Sequence, residues 1–523
     1  IGRAADLKAL SQKLQGLGQT VFQIERVCTR EGLDELRQVL RESRVNRVLI
    51  GACMPYVYAR KLKDLGKSIG LHPSLIEVAD IRTPAFPDRD DNRAQVTRDI
   101  SSVLSMAICR LKGVDPVIPR TIPITQRALV AGGGIAGMTA ALGIADHGYE
   151  VDLIEATAEL GGNLRSLYRT LDGASPQELL EQTIGRVEKH PHINVYRKTR
   201  VVHSEGRIGR FITTIENEEG TGEVVEHGVA ILATGGSEAK TDLYGYGQSD
   251  AVVTQHELEE KLQGGALNPA ELKSVAMIQC VGSREEPRNY CSRICCAAAL
   301  KNALYLKEQN PKLDVYILYR DMMTYGFLET FFTQARKAGV IFVQYDVDQK
   351  PRVETENGSV TMTVQDPVLQ REIILKPDVV ALSTGIVPSG GHGNLAEIFG
   401  VETNQDGFYQ EAEYKWRPVE FIKEGVFACG LGHSPRSITE SIAMAEAASQ
   451  RALSILNKER TVGGSVTAEV RHSLCSLCER CIDVCPYGAR RHDEEDAVIV
   501  VDELACQGCG SCAAVCPNSA SGL

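Results

Sequence analysis

Sixteen cysteines in 523 residues are distributed too unevenly for ordinary packing or for a secreted disulfide framework. Eight lie between Cys475 and Cys516, four between Cys280 and Cys296, and Cys28, Cys53, Cys109 and Cys429 stand singly. The C-terminal eight form a repeat at a 31-residue offset, Cys475-x2-Cys478-x2-Cys481-x3-Cys485-Pro486 and Cys506-x2-Cys509-x2-Cys512-x3-Cys516-Pro517. This is the run of a two-cluster bacterial ferredoxin, in which the fourth cysteine of each set crosses to the other cluster. It assigns one 4Fe-4S cubane to Cys475, Cys478, Cys481 and Cys516, and another to Cys506, Cys509, Cys512 and Cys485. Zinc also accepts CxxC pairs, but it does not require the repeated third and fourth cysteines or the prolines after them. The central four, Cys280, Cys291, Cys295 and Cys296, match the ligand count of a third cubane. Three of them sit at a predicted helix start, where the dipole favours thiolate. Their irregular spacing keeps a second reading open, a Cys291–Cys295 redox disulfide with two structural thiols. Cys28 and Cys53, at predicted strand ends, suit packing as small hydrophobes or a redox role, and Cys109, on a helix among apolar residues, is expected in the core.

A second constellation points to a nucleotide. The apolar run Arg127–Ala131 leads into Gly132-Gly133-Gly134-Ile135-Ala136-Gly137, a helix to about His147, and a strand Glu150–Glu155. Gly132, Gly134 and Gly137 allow a tight turn and let backbone N–H groups and a helix N-terminus approach a pyrophosphate. Glu155 ends the second strand, where a carboxylate can bind a ribose hydroxyl. The competing reading is a glycine-rich turn that binds nothing.

Glu159-Leu160-Gly161-Gly162-Asn163-Leu164-Arg165 resembles the second FAD-contacting loop of the two-dinucleotide-binding flavoproteins of thioredoxin reductase type. Val229–Gly236, with Thr234 and Gly235, resembles that family's return loop, and Gly425–Gly430 its late strand beside the flavin. Val379–Gly385 is a similar element. The resemblance implies FAD, held by Gly132, Gly134, Gly137, Glu155, Gly162, Asn163, Arg165, Thr234, Gly235, Gly430 and His433. Arg165 and His433 are also readable as a solvated arginine and a surface histidine. In one respect the chain departs from the family: Leu431 follows Gly430 where the family has an aspartate toward the ribityl chain. In the second lobe, where the family binds NAD(P)H, the strand Ser274–Gln279 runs into Cys280 with no GxGxxG loop, which disfavours a second nucleotide.

Cys280–Cys296 (CVGSREEPRNYCSRICC), together with Gly430-Leu431-Gly432-His433-Ser434-Pro435-Arg436-Ser437-Ile438 and the helix Glu440–Ala448, resembles the A-type chain of heterodisulfide reductase and its relatives. Ile50–Pro55 and Glu77–Arg82 resemble that family's N-terminal domain. The resemblance implies that Cys280, Cys291, Cys295 and Cys296 hold a 4Fe-4S cluster near FAD. It also implies a complex with B- and C-type subunits, a hydrogenase- or formate dehydrogenase-linked donor and soluble ferredoxin as partners, a homodimer within that complex, and electron bifurcation among the family's activities. Disulfide cleavage belongs to the B-type subunit, so no catalytic residue is expected on this chain. Ser166–Arg200 contains no cysteine, so a ferredoxin-like insertion common in the family is missing, which reduces the electron routes that bifurcation needs.

The elements that must carry these groups follow from pattern. Helical and short apolar segments alternate from Ala4 to Gly113: strands at Thr20–Val27, Arg47–Cys53 and Leu75–Ile81, and helices near Gly32–Ser43, Val57–Leu71 and Arg93–Leu111. Pro116, Pro119 and Pro123 mark Val114–Thr125 as a linker, and Leu456–Val470 reads as a flexible connection. The expected architecture is α/β, with two Rossmann-like lobes of the two-dinucleotide-binding flavoprotein type, an N-terminal α/β domain and a C-terminal α+β bacterial ferredoxin domain. Its expected divisions are 1–115, 126–272 (FAD, first part), 273–385 (second lobe), 386–457 (FAD, second part) and 471–523. With 57 Lys+Arg against 68 Asp+Glu, a net charge of −11, the chain is no generic nucleic-acid binder. No apolar run approaches the ~18 residues of a membrane span and no secretory signal pattern opens it, so a cytoplasmic protein is expected, with a stretch preceding Ile1. Two rivals remain: an NAD(P)H-dependent iron-sulfur flavoenzyme resembling the glutamate synthase small chain, and a non-catalytic electron-wiring subunit.

Overall fold

The computed structural model describes residues 5–27, 29–43, 45–52, 66, 70–83, 93–114, 121–167, 169–356, 358–462, 466–494, 496–502 and 505–523. The chain divides into two compact units, one of residues 1–120 with 463–523, the other of residues 121–462.

The N-terminal segment builds α1 (Leu7–Gly16), capped by the Asp6 carboxylate, then α2 (Arg30–Ser43) and the parallel strands β1 (Val48–Ala52) and β2 (Ile76–Asp80). The twenty-residue α3 (Arg93–Lys112) buries Val96, Ile100, Leu104, Ala107, Ile108 and Leu111. That three- and four-residue spacing turns Cys109 outward, so the cysteine expected in the core is exposed. Thr20–Val27 forms no strand either. Phe22 within it is 52% exposed, the segment has no ladder partner among the described residues, and the side chains it turns inward, Val21, Ile24 and Val27, are three residues apart rather than alternating. Cys28, Cys53 and most of the helix expected at Val57–Leu71 lie outside the described residues.

The second unit holds two parallel five-stranded sheets. In the first, β3 (Arg127–Ala131) is followed by α4 (Ile135–Ala145), β4 (Glu150–Ile154), β5 (Ile193–Tyr196) and β6 (Val229–Leu232). The chain crosses out through β7 (Gly236–Glu238) into the second sheet: β8 (Val252–Thr254), β9 (Ser274–Ile278), β10 (Asp314–Tyr319), β11 (Ile341–Gln344) and β12 (Val379–Leu382). It returns through β13 (Ile386–Pro388), antiparallel to β7, and adds β14 (Val426–Ala428) to the first sheet. The orders are β14-β6-β3-β4-β5 and β8-β12-β9-β10-β11. These strands are nearly continuous apolar runs because helices cover both faces of a parallel sheet. Fully buried Leu129, Ile231, Met277 and Ile317 are representative. The second sheet takes its edge strand β8 from residues before 273, the boundary expected from sequence. Thr121–Pro123, inside the expected linker, pairs antiparallel with Arg460–Val462, inside the expected flexible connection. Proline at the end of a two-stranded ladder leaves few amide bonds to lose.

The C-terminal segment is small. Glu469–Val470 pairs with Ser521–Gly522, and β15 (Arg490–Asp493) with β16 (Val498–Val501). Its buried cluster consists of Ala468, Ala489, Cys506 and Cys512, a core too slight to hold a fold of this size without another source of cohesion.

Candidate functional site

The nucleotide cradle follows from the join of β3 to α4. Gly132 takes φ +116°, and a Cβ there would lie 2.3 Å from the Ala233 carbonyl oxygen. A Cβ at Gly137 would lie 1.8 Å from the Gly132 oxygen, whereas one at Gly134 would meet nothing within 4 Å. The turn is thus closed behind and open in front, at the N-terminus of α4, as an approaching pyrophosphate requires. Glu155 stands just beyond β4. Its Oε2 accepts from Gly133 N at 2.7 Å, and its Oε1 accepts from Thr157 N and Oγ1 at 2.8 Å. The second glycine turn sits on the first: Gly161 N donates to Gly133 O at 2.8 Å, and a Cβ at Gly162 would come within 3.4 Å of Gly134 Cα. Asn163 Nδ2 donates to Gly236 O at 2.8 Å. Arg165 is engaged by its own turn, donating to Leu160 O at 2.9 Å and pairing with Glu159 at 2.5 Å.

On the other side of the cradle, Thr234 and Gly235 follow β6, and Gly430 and His433 follow β14. Thr234 Oγ1 lies 2.9 Å from His392 Nδ1 and 3.4 Å from Tyr409 OH. The His392 and Tyr409 rings stack at 3.6 Å. A Cβ at Gly432 would lie 3.0 Å from Thr234 Oγ1 and 3.2 Å from His392 Cε1. His392 is 3% exposed and its Nε2 is buried without a partner. Burial pushes His392 down to about 4, so at neutral pH it is an uncharged hydrogen-bonding group. His433 is buried rather than surface-exposed, with Nε2 3.2 Å from Glu411 Oε2 and Nδ1 3.2 Å from Arg436 Nη2. Burial and then the Arg436 charge lower its pKa, against the pull of Glu411. Sequence reasoning missed His392 and Tyr409, whose only signal was a histidine after Gly390-Gly391 at a helix start.

In the second lobe β9 ends at Ile278, and the four central cysteines occupy the crossover to α5 (Cys295–Gln309). Cys291 Sγ accepts from Arg293 N at 3.3 Å, Arg284 Nη1 lies 3.9 Å from Cys280 Sγ, and Cys296 Sγ lies 3.8 Å from Asp321 O. The thiols share one site. Burial pushes Cys280 and Cys295 up and Cys296 up to about 11, and negative charge on the others would raise each further. Burial therefore outweighs the helix dipole that sequence suggested would favour thiolate. Four thiolates could share this place only around a cationic core, which is what the iron of a cubane supplies. The loop is anchored by Arg293, whose guanidinium donates to Tyr325 OH at 2.6 Å and Glu440 Oε1 at 2.5 Å. Glu440 completes a capping box with Ser437 at the start of α6 (Ile438–Leu456), the helix after the Gly430–His433 loop.

In the C-terminal segment the eight thiols line two cavities. Cys475, Cys478, Cys481 and Cys516 face one, and Cys485, Cys506, Cys509 and Cys512 face the other. Ala468 N, Ala489 N and Ala520 N donate to the sulfurs of Cys506, Cys485 and Cys516 at 3.3, 3.3 and 3.2 Å. Among the described residues no three His, Cys, Asp or Glu side chains converge on a point that could hold a single metal ion. Sulfurs spread around a cavity suit a cube ligated at its corners.

Comparison with known proteins agrees with this division of labour. Residues 126–278 match the pyridine nucleotide-disulphide oxidoreductase family and residues 468–517 the 4Fe-4S dicluster domain. The A-type chain of the ferredoxin:CoB-CoM heterodisulfide reductase of Methanosarcina acetivorans is 28% identical over 96% of this chain and 78% of its own. The second A-type iron-sulfur chain of the CoB–CoM heterodisulfide reductase of Methanopyrus kandleri is 28% identical over 96% of this chain and 90% of its own. The A-type chain of the H(2):CoB-CoM heterodisulfide,ferredoxin reductase of Methanothermobacter marburgensis has the same identity and coverage. Among solved structures, the thioredoxin reductases of T. acidophilum and Lactococcus lactis align with TM-scores of 0.45 and 0.46 at 16% and 17% identity, over 63% and 64% of this chain and 98% and 99% of theirs. No helix among the described residues is long and apolar enough to cross a membrane. Over 96% of its length the chain is similar to A-type heterodisulfide reductase chains, and with its two family matches it is an oxidoreductase with FAD and 4Fe-4S clusters as its cofactors.

Proposed function

We propose that this protein is the electron-transfer subunit of a cytoplasmic heterodisulfide reductase-type complex, carrying one FAD and three 4Fe-4S clusters. It passes electrons between a hydrogenase- or formate dehydrogenase-linked donor and a disulfide-reducing B-type subunit that works with a C-type subunit. Soluble ferredoxin is a further exchange partner, and the chain works as a homodimer in the complex. The observation that carries this reading is a set of four thiols, Cys296 buried and the others half-buried, standing in the second lobe where a nucleotide loop would otherwise be. FAD would supply the exchange between electron pairs and the single electrons that cubanes carry.

Each part of the chain has a role in that exchange. The Gly132–Gly137 turn and Glu155 hold the dinucleotide, with Gly162, Asn163 and Arg165 shaping the turn above it. Thr234, Gly235, Gly430 and His433, joined by His392 and Tyr409, flank the flavin end. Cys280, Cys291, Cys295 and Cys296 hold the cluster beside it, and the two C-terminal sets carry electrons to or from partners. The relatives' names include ferredoxin- and H2-coupled reductases, which favours flavin-based bifurcation. The cysteine-free stretch Ser166–Arg200, which lacks the ferredoxin-like insertion common among relatives, reduces the electron routes available for such branching.

The test against the NAD(P)H-dependent alternative is anaerobic mixing of the oxidised protein with NADH or NADPH. The reading predicts no bleaching of the flavin absorption by either; rapid bleaching by one of them would return the glutamate synthase-like alternative. A redox titration in which the flavin stays in one state while the clusters cycle would instead identify a wiring subunit.

A further inference from the structure

Arg490 opens β15 shortly after Cys485-Pro486 and is 4% exposed. Among the described residues no carboxylate pairs with it. Its Nη2 donates to Cys512 Sγ at 3.1 Å, and its Nη1 is buried with no partner. A guanidinium has donors only and keeps its charge wherever it sits. Buried without a counter-ion it is strongly unfavourable, and the usual remedy is a carboxylate. Here the side chain instead lines the cavity faced by Cys485, Cys506, Cys509 and Cys512.

A cubane with four thiolate ligands is an anion in both oxidation states and more negative when reduced. A fixed cation beside it therefore favours the reduced form. Charge and hydrogen bonds to sulfur are the means by which proteins set cluster potentials.

We propose that Arg490 is the built-in counter-cation of the ferredoxin pair, raising above all the potential of the cluster held by Cys485, Cys506, Cys509 and Cys512. The inference rests on reading those eight cysteines as two cubanes. Through Cys512 it makes this cluster the easier of the two to reduce, so the pair acquires a direction. Arg490 is a positioning and tuning residue and takes part in no bond making.

The test is a redox titration of the full chain, purified without oxygen and followed by electron paramagnetic resonance, in the wild type, R490M and R490K. R490M keeps the volume and loses the charge. It is expected to shift the one-electron equilibrium of one cluster about tenfold toward the oxidised form, a potential about 59 mV lower, with a smaller change in the other. R490K keeps a point charge and is expected to shift less. Unchanged potentials in R490M would overturn the proposal, as would an R490K shift as large as that of R490M. If R490M fails to retain iron, R490K decides: iron held by R490K alone supports the requirement for charge, and loss from both marks a role of shape and overturns it. Absence of cluster signals from the wild type is a separate result, against the cubane reading itself.

Discussion

At the scale of single residues, the buried groups left without partners carry the most information. His392 touches the turn after β6 through Thr234 and the turn after β14 through Gly432. In the strand order β14-β6-β3-β4-β5 both turns lie across the glycine cradle from Glu155. On the proposed site the free Nε2 would therefore face the flavin half of the dinucleotide rather than the ADP half. His392→Phe, which preserves the stack on Tyr409, is expected to weaken FAD about tenfold, the worth of one buried hydrogen bond at ~1.4 kcal/mol, and to leave ADP binding unchanged when apo-protein is titrated with each. Protonation supplies a second prediction. Burial holds His227 and His392 near 4 against 6.5 for an ordinary histidine. The folded state therefore binds fewer protons than the unfolded below about 6.5, and stability falls as pH drops from there toward 4. The melting temperature of the apo-protein should decline over that window, and less so in His392→Phe. Cys295→Ser should remove the iron of one cluster and spare the ferredoxin pair, read by iron analysis; unchanged iron would exclude Cys295 as a ligand. The cysteines and glycines were legible in sequence because their chemistry is tied to fixed spacing. His392, Tyr409 and Arg490 were not, because their meaning lies in partners far along the chain, or in the lack of one.

At the scale of elements, the join between the lobes matters most. Arg293, inside the cysteine loop, is bound to Glu440 at the head of α6, and that helix follows the loop flanking the flavin end. Losing the Ser437 hydroxyl should cost about 1 kcal/mol through the cap alone. Ser437→Ala is therefore expected to lower the midpoint of unfolding of unit 121–462, and Arg293→Met to alter the resonance of the Cys280–Cys296 cluster without reducing iron content. Spectra of Arg293→Met indistinguishable from wild type would show that the anchor does not shape the cluster loop. The parallel strands were legible because burial on both faces makes them continuous apolar runs, and α4 because a glycine turn precedes it. Thr20–Val27 was misleading for the complementary reason: an apolar run becomes a strand only where a ladder awaits it, and here Val21, Ile24 and Val27 pack inward without one. Cys109 shows the same on a helix, where composition alone does not reveal which face is turned in.

At the scale of the whole molecule, the two ends of the stability range are in different places. Unit 121–462 contains four large apolar clusters, whereas the buried apolar residues described in the ferredoxin segment are Ile499, three alanines and two of its own cysteines. Its cohesion must come from metal ligation. Iron chelation under reducing conditions is expected to expose residues 466–523 to limited proteolysis while 121–462 stays intact, as mass analysis of the fragments would show. In the proposed function one chain joins FAD to three clusters, one of them standing where a second nucleotide would be. Its most direct test is iron and flavin per chain on protein purified without oxygen. About 12 iron with one FAD is the predicted result, four iron for each cubane. About 8 iron with one FAD would contradict it, leaving Cys280, Cys291, Cys295 and Cys296 as a thiol redox centre beside the flavin.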